Sequence, residues 1–230
     1  MCSSDLPGGG YAYKLKGKSL DATRLVVGDK NKAPNAPPED EAPMTDPISV
    51  DLEMERVLVR DDMALKNSAL SFAYGANEHL SAFNLDAAGP FKGRISGRFS
   101  TVKGVRHVDV EAEDANGFIR AFTGFTSIRG GSFAANISFP HDDPKSKEPP
   151  MDYMGTVTMK NFAVTDQPFL ARLFAAGSLD GPLRLMQGDG IAITQFTGPF
   201  FMRGKMVTIR EGRAAGPAID RKSTRLNSSH

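Results

Sequence analysis

The sequence predicts a mainly β protein, a mostly antiparallel sheet carrying two or three short amphipathic helices. Three observations predict it. Apolar and polar residues alternate with a period of two over many separate stretches, and turn-forming pairs punctuate those stretches. Helix-spaced apolar stripes are confined to two short regions. Each alternating stretch has one dry side and one wet side, as antiparallel sheets have. A buried parallel sheet would show continuous apolar runs instead.

Stretches near 48–60, 63–74 and 79–88 read as a meander, with turn signals at Asp61-Asp62 and Gly75-Ala76-Asn77. In DLEMERVLVR the apolar side changes near Arg56-Val57, which predicts a bulge or crossing point. After the Gly89-Pro90 signal, FKGRISGRFS sets Phe91, Ile95 and Phe99 on one side, with Gly93 and Gly97 between them. Beyond Lys103-Gly104, VRHVDVEAED sets Val108, Val110 and Ala112 against His107, Asp109, Glu111 and Glu113.

Asp114 suits the N-cap of a helix whose stripe is Phe118, Ile119, Phe122 and Phe125, with Gly124 as its stop. SFAANISF then presents Phe133, Ala135, Ile137 and Phe139, and GTVTMKNF presents Val157 and Met159. In TDQPFLARLFAAG a cap at Thr165 or Asp166 and Pro168 in the first turn start a second helix. Its apolar side is Phe169, Leu170, Leu173 and Phe174, and Gly177 ends it. A shorter helical piece covers Leu179 to Met186, and a strand with Ile191 and Ile193 runs toward the turn signal Arg203-Gly204. The proline-rich, charged segments 30–47 and 140–150 read as disordered or surface loops between strands of one sheet.

The two ends stand apart. DRKSTRLNSSH (220–230) and MCSSDL (1–6) resemble translated sequencing adapter, so residues 7–219 are expected to form a fragment of one domain. Of 27 acidic residues Asp5 and Asp220 lie in these ends, and of 28 basic residues Arg221, Lys222 and Arg225 do. Equal numbers remain, and a chain of zero formal charge offers no global field for nucleic acid or anionic lipid. The only cysteine is Cys2, so 7–219 carries no disulfide framework and no thiol chemistry. No run of 18 apolar residues occurs.

Sharper motifs fall to blander explanations. Arg129-Gly130-Gly131 is one copy leading into a strand, unlike the repeated, disordered RGG segments that bind RNA; it is expected to be a turn or bulge needing positive φ. GDGIAI (188–193) lies in helix-to-strand order, whereas phosphate cradles need strand-to-helix order. His79, His107 and His141 have no partner at ligand spacing, and His141-Asp142-Asp143 reads as a solvated loop. Asp61-Asp62 suits a hairpin turn, and no nucleophile elbow is present. The expectation is a non-enzyme without metal, cofactor or nucleic-acid partner.

Three segments in order carry a resemblance: SLDATRLV near Ser19, AEDANGFIRAFTGFTSIRGGSF at Ala112 to Phe133, and MGTVTMKNFAVTDQPFLARL running on through GDGIAITQFTGPFFMRG to Ile219. Together they resemble the AsmA-like C-terminal region of YhdP-type bacterial envelope proteins. The resemblance implies a long, curved antiparallel sheet forming an open groove or partial barrel. It also implies a periplasmic location behind an inner-membrane anchor that would precede these residues, and a role in moving phospholipid toward the outer membrane. The 30–47 segment has no counterpart in that pattern.

The alternation suits that role. Exposing a sixteen-carbon chain to water costs on the order of 10 kcal/mol, so a lipid carrier needs continuous apolar wall more than specific contacts. The wall expected to face lipid is Phe91, Ile95, Phe99, Val108, Val110, Phe133, Ile137, Phe139, Val157, Met159, Ile191 and Ile193. Phe118, Ile119, Phe122, Phe169, Leu170, Leu173 and Phe174 form the expected helical plug beside it. Two other classes compete: a periplasmic scaffold assisting outer-membrane assembly through envelope proteins, its groove self-filled, and a glycan-binding β domain. The second is disfavoured because the chain has no Trp to build an aromatic platform.

Overall fold

The computed structural model describes residues 2–5, 9–27, 46–75, 80–139, 153–165, 190–203, 206–209 and 212–217. Twelve strands and two helices lie among them, in the order β1 (Cys2–Asp5), β2 (Tyr11–Asp21), α1 (Thr23–Val27), β3 (Ile48–Arg60), β4 (Met63–Tyr74), β5 (Leu80–Ala88), β6 (Arg94–Val102), β7 (Val105–Ala112), α2 (Ala115–Thr123), β8 (Ile128–Phe139), β9 (Tyr153–Val164), β10 (Ile191–Arg203), β11 (Met206–Ile209) and β12 (Arg213–Ala215). They form one open sheet in sequence order from β1 to β11, with β12 beside β11 on the far edge of β10.

The sheet is mainly β and mostly antiparallel, as the alternation predicts, and it does not close into a barrel. One pair departs from the pattern: β2 and β3 are parallel, Tyr11 opposite Ile48 and Asp21 opposite Leu58. The chain leaves β2 through α1 and re-enters at the starting end of β3, and a parallel pair needs such a crossover. The expected loop 30–47 belongs largely to that connection and lies mostly outside the described residues, as do 140–150 and the predicted helices over 166–186. Cys2–Asp5, expected to stand outside the fold, pairs antiparallel with Tyr11–Lys14. An uncovered strand edge offers its backbone groups to any extended segment.

The face change expected near Arg56-Val57 is present, and it is not confined to one strand. In β3 the apolar side carries Leu52 and Met54, then Val57 and Val59, with Glu55 and Arg56 both exposed between them. The neighbours do the same at the same level. Lys18 and Ser19 break β2 between Gly17 and Leu20, and Lys66 and Asn67 break β4 between Leu65 and Ser68. Asn67 takes a left-handed φ of 46°, and against β5 the irregularity ends as a register shift between Lys66 and Ala69.

A second line crosses β8, β9 and β10. Gly131-Ser132, Lys160-Asn161 and Thr194-Gln195 are the doublets, with Gly131 at φ 81° and Asn161 at φ 53°. Asn is among the few side chains that tolerate this region. The expected positive-φ role of Arg129-Gly130-Gly131 is therefore met inside a strand, with Arg129 exposed.

α2 follows the turn after β7 and lies on the apolar side, ended by Gly124 at φ 78°, whose N–H donates to the Arg120 carbonyl. Asp114 sits at the N-cap in extended conformation but makes no side-chain cap bond. Phe125, placed on the helix stripe by spacing, falls beyond the helix end. The sheet curls so that α2 reaches elements far apart in strand order. It packs on β8 through Phe118 and Phe133, ring centroids 4.7 Å apart. On its other side Arg60 of β3 donates from Nε to the Ala121 carbonyl (3.0 Å) and from Nη2 to the Phe122 carbonyl (3.5 Å). These are C-terminal carbonyls of a helix, where a cation is favoured.

Gly131 tests the second line. A Cβ there would lie 2.7 Å from the Lys160 carbonyl oxygen and 2.7 Å from Phe162 Cβ, whereas one at Gly104 (φ 79°) meets nothing within 4 Å. Both Gly131→Val and Gly104→Val carry left-handed strain of about 1–3 kcal/mol. Gly131→Val is expected to destabilise by clearly more than Gly104→Val in urea unfolding, and equal losses would mean that the crossing at Gly131 is not tight.

Candidate functional site

The inner face of the sheet, defined as the side on which the helices lie, is built in rows. One row runs through register partners from β2 to β10: Leu15, Leu52, Leu70, Leu85, Gly97, Val110, Ala135, Val157 and Gly198. Eight strand spacings of about 4.8 Å make it about 38 Å long along the sheet. A second row toward the same edge carries Tyr13, Val50, Phe72 and Phe83. Its counterpart across the later strands carries Phe99, Val108, Ile137, Gly155, Phe200 and Ile209.

The glycines do not leave gaps, because neighbours lean over them. A Cβ at Gly97 would collide with the Phe83 ring, and one at Gly155 would collide with the Asn136 carbonyl oxygen and lie 2.9 Å from the Phe200 ring. Aromatic cover of a strand glycine keeps the wall continuous.

This face has a closed end and an open end. At the closed end α1 and α2 cover it, and two packed clusters fill the space. One joins Met54, Val57, Val59, Met63, Leu65, Ile95, Ala112 and Ala121. The other joins Ala115, Ile128, Met159, Phe162, Val164, Ile191 and Ile193. Beyond the helices most of the rows are only half-buried, Val108 at 5% exposure being an exception, while Leu15, Leu52, Leu85 and Val157 of the first row pack against the clusters.

The expected wall residues therefore divide. Phe99, Val110, Ile137 and Phe139 are half-buried on the inner face of the open end, Val108 is buried among them, and Val157 is half-buried against the second cluster. Ile95, Met159, Ile191 and Ile193 belong instead to the packed clusters, because the closed end is filled by protein. Phe133 lies at the boundary, packed against both. Phe91 is a correction. A Gly89 N–H to Gly93 carbonyl bond of 2.8 Å closes a turn before β6, and Phe91 stands 52% exposed at its tip with Arg120 over its ring.

Of the expected plug, Phe118 and Phe122 pack on the first cluster and Ile119 on the second. Phe169, Leu170, Leu173 and Phe174 fall outside the described residues. In β2 to β4 the polar doublets interrupt the alternation and mask the wall. Those doublets are themselves the signal that could have found it.

The outer face is polar, and several of its side chains pair across strands. Lys16 meets Glu53 at 2.7 Å on neighbouring strands, Asn136 donates to Asp109 at 2.6 Å, and His107 Nδ1 lies 2.9 Å from Ser138 Oγ. Arg94 grips Asp86 with both Nε and Nη2. That hydrogen-bonded guanidinium holds the Asp86 carboxyl below its ordinary range, and the Lys16 hydrogen bond does the same for Glu53. Both pairs are exposed and screened by salt. Two open depressions on this side are lined chiefly by Lys14, Lys16, Asp51 and Glu53, and by Arg94, Glu111, Glu113 and Lys160. Within them Lys16 pairs with Glu53, and Glu113 accepts from the Arg94 backbone N–H at 2.9 Å. Among the described residues no group of three metal-ligating side chains occurs, and no helix is long and apolar enough to cross a membrane.

Fold and face together define an open, curled sheet with one apolar side, stoppered at one end. No protein-family model, curated protein or solved structure matches this chain.

The two ends of the inner face should respond differently to a buried charge. Ile95→Asp, at a position 2% exposed, is expected to unfold the chain, because an unpaired carboxylate has no water there. Ile137→Asp, in the open half, is expected to retain the native circular dichroism and a cooperative melt. Equal loss of folded content would mean that both ends are filled.

Proposed function

We propose that this chain is a segment of a non-enzymatic envelope protein that shields phospholipid acyl chains on an apolar β face during transfer between membranes. The observation that carries the proposal is the row of apolar register partners across nine strands, half-buried where the helices do not cover it. An acyl chain spans half of a hydrocarbon core about 30 Å thick, or about 15 Å, and the row is more than twice that length. A wall of this kind offers non-directional burial, which suits a cargo recognised by its tails.

The resemblance to the AsmA-like region of YhdP-type proteins extends the proposal to a periplasmic, inner-membrane-anchored parent protein that supports the outer membrane. The scaffold reading draws on the closed end, where the protein fills its own groove. It requires the open end to be filled as well.

The test is extraction of the purified chain with organic solvent and mass spectrometry of what it carries. Near-stoichiometric phospholipid, lost in Ile137→Asp while the fold persists, is the expected result. A lipid-free chain that also fails to take up a fluorescent fatty acid would contradict the proposal and favour the scaffold.

A further inference from the structure

Two arginines turn toward the inner side of the sheet among the described residues, one at each end. Arg60 at the closed end is committed to the Ala121 and Phe122 carbonyls of α2. Arg106 is at the open end. It stands in register between Thr101 and Phe139, on the side shared by Val108 and Val110. Its guanidinium carbon lies 5.7 Å from the Phe139 ring centroid, and Nη1 donates one 3.3 Å bond to the Leu80 carbonyl. Among the described residues no carboxylate pairs with it.

A guanidinium laid on an aromatic face and half-buried among apolar rows keeps its charge and retains donors beyond the single carbonyl it serves. Hydrogen bonds from such a group to an anionic oxygen are roughly twice as strong as neutral ones, and more so away from bulk water. The inner side of the open end is otherwise uncharged in strands β2 to β10 of the described residues.

We infer that Arg106 is an anion contact for amphiphiles, holding a single negatively charged lipid head at the open rim while the tail lies on the apolar rows. The inference rests on the lipid-shielding reading above and deepens it. The occupant is defined by charge complementarity: one cation at the margin of a long uncharged wall fits one anionic head joined to a long tail. It does not fit a polyanion or a peptide, which would need several polar partners on that side.

The test titrates the full 230-residue chain with palmitate and with hexadecanol, by displacement of an uncharged fluorescent alkyl probe. Palmitate is expected to bind at least tenfold more tightly. Arg106→Gln should abolish that preference while leaving hexadecanol affinity unchanged, and Arg106→Lys should keep most of it. Combining Arg106→Gln with Thr101→Arg, which moves the cation to the paired position, should restore it. Circular dichroism of each variant checks folding.

A palmitate preference that survives Arg106→Gln overturns the assignment, as does displacement of palmitate by inorganic phosphate alone, the mark of a free-anion site. Equal binding of both amphiphiles by the unmodified chain overturns the assignment and leaves the apolar wall standing. Binding of neither overturns both.

Discussion

The constraint on which the structure depends is that a strand exchanges its two faces whenever its period of two is interrupted. Several strands here run 12 or 13 residues through a curled sheet, and such strands accumulate twist. If one of them flipped alone, its apolar residues would pass to the solvent side midway along. The sheet avoids this by flipping neighbours together. Lys18, Glu55 and Asn67 lie at one level, and Gly131, Asn161 and Thr194 at another. Each line keeps the apolar side on the same side of the sheet throughout.

The closed end follows from that alignment. Below the first line, Leu20, Val57 and Leu65 face the same way as Leu15, Leu52 and Leu70 above it, so the helices find an unbroken apolar floor. Arg60 then fastens α2 from the opposite wall, which draws β3 toward β8 across four intervening strands. α2 is only nine residues long and would be marginal alone; packing on both walls holds it. Beyond it nothing among the described residues covers the rows, and the same alternation that makes a core at one end makes an open wall at the other.

How much of this could be read from sequence depends on position relative to the two lines. In β6 and β7, which neither line crosses, Ile95, Phe99, Val108 and Val110 fall on the inner face as their spacing says. Phe91 was misplaced because the Gly89–Gly93 turn stops the alternation before β6 begins. In β3 the change at Arg56-Val57 was legible. That the doublets of β2 and β4 lie at the same level was not, because register between strands is a non-local property. The parallel β2–β3 pair was hidden for a related reason, since its crossover leaves no mark in the local pattern. Period two also cannot tell a filled wall from an open one. Ile95 and Ile137 alternate alike, and only the position of α2 separates them.

The proposed function requires the inner face beyond α2 to receive acyl chains. The chain has no Trp, so a single one is an unambiguous reporter. Phe99→Trp places it on the half-buried inner face, and Thr156→Trp places it on the exposed outer face. The measurement is quenching of each by phospholipid brominated along its acyl chain. Strong, saturable quenching is expected at position 99 and little at position 156. Absence of quenching at 99, or equal quenching at both, would contradict the proposed function.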